Sequence, residues 1–353
     1  MISGKGAVFQ AEGGSRPRRQ LWARTLMLAA VFVLAQAPLA PASEELWRHE
    51  WPNTDFSRHS VDLADILSGG PPRDGIPAID DPRTVPVAGH DGLPGVEPVI
   101  SVTVDGEARA YPLRILVWHE IVNDVINGTP LVVTYCPLCN TGVVFEGAID
   151  GIVLDFGVTG KLRHSDLVMY DRQTESWWQQ FTGRAIVGAM TGAKLKAWPS
   201  RLESFDRFRR RHPEGTVLVP GDDTRRPYGS TPYAGYDSRK KPFDFYRGDL
   251  PPGIAPLARV VRVDDTAWSL ELLRQEGQIV DDDLVITWEP GQASALDTRE
   301  IASGFDVGNV TVQRMTQSGP VDVVYAVDFA FAWHAFFPDS PIRTTLDELG
   351  PYP

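Results

Sequence analysis

Short runs of residues that favour β-strands, separated by turn-forming pairs, are the feature that most restricts how this chain can fold. From residue 99 onward, runs of Val, Ile, Thr and aromatic residues alternate with pairs such as Asp105-Gly106, Asn127-Gly128 and Asp150-Gly151. An Asn-Gly or Asp-Gly pair between two β-type runs is typical of a two-residue hairpin. We therefore expect a mainly β fold, of the α+β kind with few short helices. The segments with helical periodicity are 204–211, 270–274 and 330–336.

The chain also repeats part of its own pattern. Residues 131–137, Leu-Val-Val-Thr-Tyr-Cys-Pro, match residues 284–290, Leu-Val-Ile-Thr-Trp-Glu-Pro, and residues 110–116 match residues 267–273. Repetition of this kind indicates two pseudo-repeated β-rich lobes. The alternative is chance similarity between short β segments. Only the first lobe contains cysteines, which favours a functional over a purely structural use of them.

These patterns divide the chain into five predicted segments. Residues 1–42 form a signal peptide, and residues 43–98, rich in Pro and Gly, form an irregular N-terminal arm. The first β-rich lobe spans 99–220 and carries a Cys-Pro-Leu-Cys turn. An interlobe loop covers 221–259, and the second lobe, without the Cys pair, covers 260–353.

The predicted signal peptide has the residue order of a secretory leader. Basic residues at Arg16, Arg18 and Arg19 precede an apolar run at 26–35, and small residues follow at 40–42. The run is too short to cross a bilayer comfortably. We expect a periplasmic or secreted protein that is exported by the Sec route or, because of the paired arginines, by the twin-arginine route. An uncleaved membrane anchor is the alternative.

The charge of the chain excludes some partners. The net charge is −12, and removal of residues 1–42 would make it more negative, because that segment holds five basic residues and one acidic residue. An acidic protein repels nucleic acid and anionic membrane surfaces. We expect no nucleic-acid partner and no membrane contact after signal removal, and the sequence leaves open whether the partner is a small molecule or a protein.

Cys136 and Cys139 are the only cysteines among the 353 residues. A C-x-x-C pair serves as a redox dithiol, as half of a metal site or as a local disulfide. The strand-like run 131–135 precedes the pair, and the β-like run 140–147 follows it. We therefore predict a turn between two strands, as in a metal knuckle, rather than the strand-to-helix junction of glutaredoxin-like proteins. A single knuckle supplies two ligands, so a metal would also need His or carboxylate ligands.

The hairpin at Asn127-Gly128 offers one such ligand. Continued from a two-residue loop, its register places Ile121 opposite Thr134 and His119 opposite Cys136. Directly opposed side chains have Cβ atoms about 4.5–5.5 Å apart, which is close enough to share a metal ion. A helix at residues 112–119 would break this register, and His119 would then be a structural histidine.

Two further candidate ligands, His164 and Asp166, follow the turn-rich stretch 157–160. The alternative for this polar cluster is a turn cap. Mixed sulfur and nitrogen ligands suit Zn²⁺ or copper. The first hypothesis is thus a mononuclear metal site, with redox or Lewis-acid chemistry at an open position. A thiol–disulfide protein and a non-catalytic binding module with a fixed local disulfide are the alternatives.

Five short motifs are distinctive: Arg109-Ala110-Tyr111-Pro112, the run 118–124 (Trp-His-Glu-Ile-Val-Asn-Asp), the run 135–139 (Tyr-Cys-Pro-Leu-Cys), the run 165–171 (Ser-Asp-Leu-Val-Met-Tyr-Asp) and Ser176-Trp177-Trp178. Through these motifs, over about two thirds of its length, the chain resembles an uncharacterised bacterial and archaeal family catalogued as domain of unknown function 3179. Family members often have Gly after the second Cys, where this chain has Asn140, and Asn also tolerates a left-handed backbone. The resemblance implies a recurring core of His-Glu, C-P-x-C and Ser-Asp motifs, without an activity.

Overall fold

The structure is a computed structural model that describes residues 44–221 and 226–346. The predicted signal peptide, residues 1–42, lies outside the described residues. Within the described ranges, no helix combines the length and the apolar content that a membrane span requires.

Short strands and five one- to two-turn helices make up the described chain. The helices are α1 (Glu44–Glu50), α2 (Leu113–His119), α3 (Phe205–Arg211), α4 (Leu270–Glu276) and α5 (Ala330–Phe336). The first twelve strands are β1 (Ile66–Ser68), β2 (Thr84–Pro86), β3 (Pro98–Val104), β4 (Glu107–Pro112), β5 (Ile121–Ile126), β6 (Thr129–Cys136), β7 (Thr141–Glu146), β8 (Ala148–Ile149), β9 (Ile152–Val153), β10 (Phe156–Arg163), β11 (Asp166–Asp171) and β12 (Trp177–Gln179). The later strands are β13 (Arg184–Val187), β14 (Ala197–Trp198), β15 (Ser200–Ser204), β16 (Thr216–Leu218), β17 (Arg259–Val263), β18 (Thr266–Ser269), β19 (Gln278–Asp281), β20 (Leu284–Glu289), β21 (Asn309–Thr316), β22 (Gly319–Asp322), β23 (Ala326–Phe329) and β24 (Ile342–Arg343).

The strands build five small sheets in a ring that resembles a five-bladed propeller. The sheet orders are β1-β10-β11-β12-β13, β14-β7-β6-β5, β15-β3-β4-β16-β2, β23-β17-β18-β24 and β19-β20-β21-β22, and β8 and β9 form a separate ribbon. The predicted mainly β fold with few short helices is therefore confirmed. The three predicted helices are also present, as α3, α4 and α5.

The same order of elements occurs twice along the chain. A hairpin, a short helix and a second hairpin follow one another as β3-β4-α2-β5-β6 and again as β17-β18-α4-β19-β20. In the first case β3 lies between β15 and β4, and β16 runs parallel to β4. In the second case β17 lies between β23 and β18, and β24 runs parallel to β18. The proposed domain boundaries themselves remain predictions.

Aromatic side chains pack on both faces of β12. Trp177 and Trp178 are adjacent on β12, and both are buried on opposite faces of their strand. Trp177 contacts Trp47 and Trp51 of the N-terminal segment, whereas Trp178 packs against Phe156. The N-terminal arm is thereby attached to the sheet that also carries β10 and β11.

Candidate metal centre

The Cys pair lies in a tight, buried turn between β6 and β7. Cys136 ends β6 and pairs with Thr141, the first residue of β7. Asn140 closes the turn in the left-handed region, with a φ of 54°. The predicted turn between two strands is confirmed. Both cysteines have free thiols, and neither is more than 1% exposed.

Strand β23, from the far end of the chain, holds this turn in place. The Asn140 side-chain amide donates to the Val327 carbonyl at 2.9 Å, and the Thr141 hydroxyl donates to Asp328 at 2.7 Å. The backbone N–H of Phe329 donates to the Cys139 carbonyl at 2.8 Å. These buried bonds hold in place the turn that carries the two sulfur atoms.

Asp166 reaches the same place from the neighbouring sheet. It begins β11 after a two-residue hairpin turn in which His164 and Ser165 both have positive φ, 55° and 65°. The Asp166 side chain is fully buried, and its Oδ2 accepts hydrogen bonds from the Gln179 side chain at 2.6 Å and from the Phe181 backbone at 2.9 Å. Its Oδ1 has no hydrogen-bond partner among the described residues.

The two turns bring three ligand-type atoms together. One sulfur each from Cys136 and Cys139 and one carboxylate oxygen of Asp166 all lie within 4.8 Å of one another. In the part of the chain that the structure describes, this is the one group of three or more His, Cys, Asp or Glu side chains with such spacing. The group can therefore hold a metal ion.

The group collects acidic side chains away from water. Burial raises the pKa of Asp166 to about 7. Burial is also the main cause of the raised pKa values of Cys136 and Cys139, and the negative charge of Asp166 adds to it. The site therefore disfavours its own ionised form unless a positive charge enters it.

Glu120 is a fourth buried acid beside the group, and the sequence pointed to it only as part of the His-Glu motif. It follows α2 with a φ of 59° and a ψ of −32°, a strained conformation for a residue with a side chain. Its carbonyl accepts from the backbone N–H of Tyr135, next to Cys136, at 2.8 Å. Burial, followed by the charge of Asp166, raises the pKa of Glu120 to about 8. Its place in the His-Glu motif was the signal available in the sequence.

The placement of His119 opposite Cys136 is wrong. The predicted register is present as far as Ile121, which faces Thr134, but β5 begins there because residues 113–119 are helical and Glu120 turns the chain. His119 therefore ends α2 instead of extending the strand. Its Nδ1 lies 2.8 Å from the Pro77 carbonyl and its Nε2 lies 2.7 Å from the Tyr228 hydroxyl. It does not belong to the group of three.

His164 also lies outside the group. As a hairpin-turn residue it directs its ring against Phe336, with the ring centroids 5.3 Å apart and the planes at 79°. Burial, followed by the charge of Arg163, lowers the pKa of His164 to about 4. Of the five predicted ligands, the structure therefore brings together Cys136, Cys139 and Asp166.

The comparison with protein families agrees with the resemblance seen in the motifs. A family model described as "Protein of unknown function (DUF3179)" matches residues 73–340. The chain belongs to this family. The matched range includes both turns of the candidate metal centre and every strand of the five sheets except β1, which precedes it, and β24, which follows it. No curated protein and no solved structure matches the chain.

Proposed function

We propose that this member of the family is an exported metalloprotein that binds one metal ion through Cys136, Cys139 and Asp166. The observation that carries the proposal is the convergence of two sulfur atoms and one carboxylate oxygen within 4.8 Å. Zn–S bonds are about 2.3 Å long and Zn–O bonds about 2.0–2.2 Å. Ligand atoms at such separations need only small side-chain movements to reach one ion.

The charge of the site supports a cation as the occupant. Two thiols and the carboxyl groups of Asp166 and Glu120 are buried together, and the charges of their acidic neighbours raise their pKa values further. A divalent cation reverses this effect, because it displaces the thiol protons and stabilises the carboxylate. The Asp166 Oδ1, which has no hydrogen-bond partner, is then the ligand oxygen.

The ligand types favour Zn²⁺ over copper. Two thiolates and one carboxylate are within the usual ligand set of Zn²⁺, whereas Cu⁺ prefers purely soft ligands such as Cys and Met. Three protein ligands leave the fourth tetrahedral position for water or a substrate. An open position of this kind is the arrangement of catalytic rather than structural zinc sites.

A thiol–disulfide function has less support. A redox-active Cys pair requires an accessible thiol with a lowered pKa, but here both thiols are buried and both pKa values are raised. Export remains part of the proposal on the basis of the basic, apolar and small-residue order of residues 1–42.

Titration of the metal-free full-length protein with Co²⁺ tests the proposal, because thiolate ligation gives Co²⁺ a charge-transfer absorption band. We expect saturation at about one Co²⁺ per chain and displacement of Co²⁺ by Zn²⁺. Cys136→Ser and Cys139→Ser should abolish the band, and Asp166→Asn should weaken binding. Glu289→Gln, at an exposed position, is the matched control. A band that survives both single Cys substitutions, or no band in the wild type, would refute the site.

A further inference from the structure

A groove of about 780 Å³ lies where strands of three sheets meet. Its walls come from β7, from β10 with β12 and β13, and from β17 with β23, and the end of α5 closes one side. Gln179 and Phe181, which donate to Asp166, also line the groove. The groove is thus adjacent to the candidate metal centre, but none of the three proposed ligands lines it.

A pair of stacked rings forms the apolar part of the groove. Phe181 and Phe336 stack with centroids 4.5 Å apart and planes at 17°, and Phe145 and Phe337 also line the wall. Flat aromatic walls of this kind favour a ligand with a flat or otherwise apolar body.

Two arginines flank this ring pair. The Arg262 guanidinium lies 4.4 Å from the centre of the Phe181 ring, and the Arg163 guanidinium lies 5.7 Å from the centre of the Phe336 ring. Their side chains are only 14% and 18% exposed. Cation–π contacts hold both groups over the wall instead of letting them extend into water.

Each arginine keeps a buried N–H group without a hydrogen bond. Arg262 donates from Nε to Asp328 at 2.6 Å, but its Nη2 has no partner among the described residues. Arg163 donates from Nη1 to Gln179 at 3.4 Å. Its Nε has no hydrogen-bond partner among the described residues, because the nearest carboxylate, that of Asp65, is 3.9 Å away. Buried donors without partners are costly, and an anionic ligand would satisfy them.

The lining also carries more basic than acidic side chains in an otherwise acidic protein. Four basic side chains, Arg163, Arg184, Lys194 and Arg262, face the groove together with two acidic ones, Asp264 and Asp265. The whole chain has a net charge of −12. Of the four, Arg262 is paired with Asp328, whereas Arg163 has a carboxylate no nearer than 3.9 Å, that of Asp65, and can pair with an anion.

We infer that this groove binds a small organic anion, in which an acidic group pairs with Arg163 and an apolar part lies against the aromatic wall that contains Phe181 and Phe336. Arginine suits this role because its planar fork donates two parallel hydrogen bonds to a carboxylate, sulfonate or phosphate group. This inference goes beyond the proposed metal site and does not depend on it.

Fluorescence titration with 8-anilinonaphthalene-1-sulfonate, an aromatic anion, tests the inference on the full-length protein. The neutral analogue N-phenyl-1-naphthylamine reports the apolar contribution alone. We expect saturable binding of about one sulfonate per chain, weakened about tenfold or more by Arg163→Gln, since an arginine–anion hydrogen-bonded pair is worth about 1.5–3 kcal/mol. Binding of the neutral probe should change little.

Three further variants make the test decisive. Arg184→Gln replaces an exposed residue of the lining and should weaken sulfonate binding by a smaller factor than Arg163→Gln. It also tests the charge of the groove if Arg163→Gln folds poorly. Arg209→Gln, on the exposed face of α3, is the charge-matched control and should have no effect.

Cys136→Ser should retain sulfonate binding, which separates this inference from the metal proposal. Equal binding of the two probes, unsaturable binding, or identical affinities in the wild type, Arg163→Gln and Arg184→Gln would overturn the inference.

Discussion

Two connections between strands occupy corresponding positions in the repeated element order. They differ in whether their acidic groups are buried or exposed to solvent. The first junction, residues 136–141, joins β6 to β7, and the second junction, residues 289–309, joins β20 to β21. Both follow a similar run of residues, which ends in Cys136-Pro137 in one and in Glu289-Pro290 in the other. The first is a short buried turn, whereas the second is a long connection that begins at an exposed residue.

The second junction satisfies its charges without help from outside the protein. The Glu289 side chain is 64% exposed and lies 3.3 Å from Arg207. Asp306 accepts hydrogen bonds from the backbone N–H groups of Gly291, Gln292 and Gly308. The first junction instead buries two thiols beside Asp166 and Glu120, all with raised pKa values. One scaffold therefore supports either a solvated connection or a buried group of thiols and carboxyls that could hold the proposed metal ion.

Metal removal should separate the two junctions most strongly. A metal at 1,000 times its dissociation constant stabilises a protein by about 4 kcal/mol. We therefore expect chelation to lower the melting temperature of the wild type and of Glu289→Gln, measured by calorimetry. The double variant Cys136→Ser/Cys139→Ser should melt at the same temperature with and without chelator. A shift of equal size in the double variant would place the metal elsewhere.

Removal of the Asn140 side chain should have the next largest effect. Asn140→Ala deletes a hydrogen bond to Val327 at 2.9 Å and one from Tyr135 at 3.1 Å, both buried, and leaves a β-carbon at a positive φ. We expect a loss of about 2–4 kcal/mol in the free energy of unfolding, measured with urea.

Asn140→Gly separates the two causes, because Gly adopts a positive φ freely but makes no side-chain bonds. It should recover part of the loss. If Asn140→Gly and Asn140→Ala are equally stable, the left-handed conformation contributes nothing to the difference.

The ion pair between Arg201 on β15 and Asp322 on β22 should have a smaller, pH-dependent effect. Burial alone would raise the pKa of Asp322, but the hydrogen bonds and charge of Arg201, with Gln313, hold it below its ordinary value. An acid with a lowered pKa in the folded state stabilises the protein above its unfolded pKa, and this stability is lost as the pH falls through the folded pKa.

Asp322→Asn should therefore cost about 1 kcal/mol at pH 7. The difference from the wild type should shrink below about pH 4, where the unfolded chain binds the proton before the folded protein does. Urea denaturation at a series of pH values measures this, with Asp283→Asn, in a more exposed pair with Arg314, as the control. A difference that is the same at every pH would rule out the charge as its cause.

Glu289→Gln should have the smallest effect. An exposed ion pair contributes about 0–1 kcal/mol, so we expect a stability change below about 0.5 kcal/mol in urea and an unchanged metal content. A larger loss would mean that the second junction also depends on its charge, contrary to the contrast drawn with the first.

Local patterns predicted the parts of the site that depend on neighbouring residues. The β6–β7 turn at Cys136 and Cys139 and the hairpin register from Ile126 to Ile121 follow from alternation and turn chemistry. The position of His119 did not follow, because a helix with a strained residue at its end, Glu120, replaces the continued strand.

Long-range pairing accounts for what the sequence could not predict. Strand β16 runs parallel to β4, about a hundred residues earlier, and β23 anchors the Cys turn from the other half of the chain. Neither arrangement is encoded in a local period. Asp166 was predicted from a polar cluster after a turn, but only the packing of two sheets sets it beside the cysteines.

Elemental analysis of the untagged protein, purified from its native compartment without chelators, tests the central claim most directly. Wild type and Glu289→Gln should each contain about one zinc ion per chain, and Cys136→Ser and Cys139→Ser should contain almost none. Wild-type protein without a bound transition metal, or variants that retain it in full, would contradict the account.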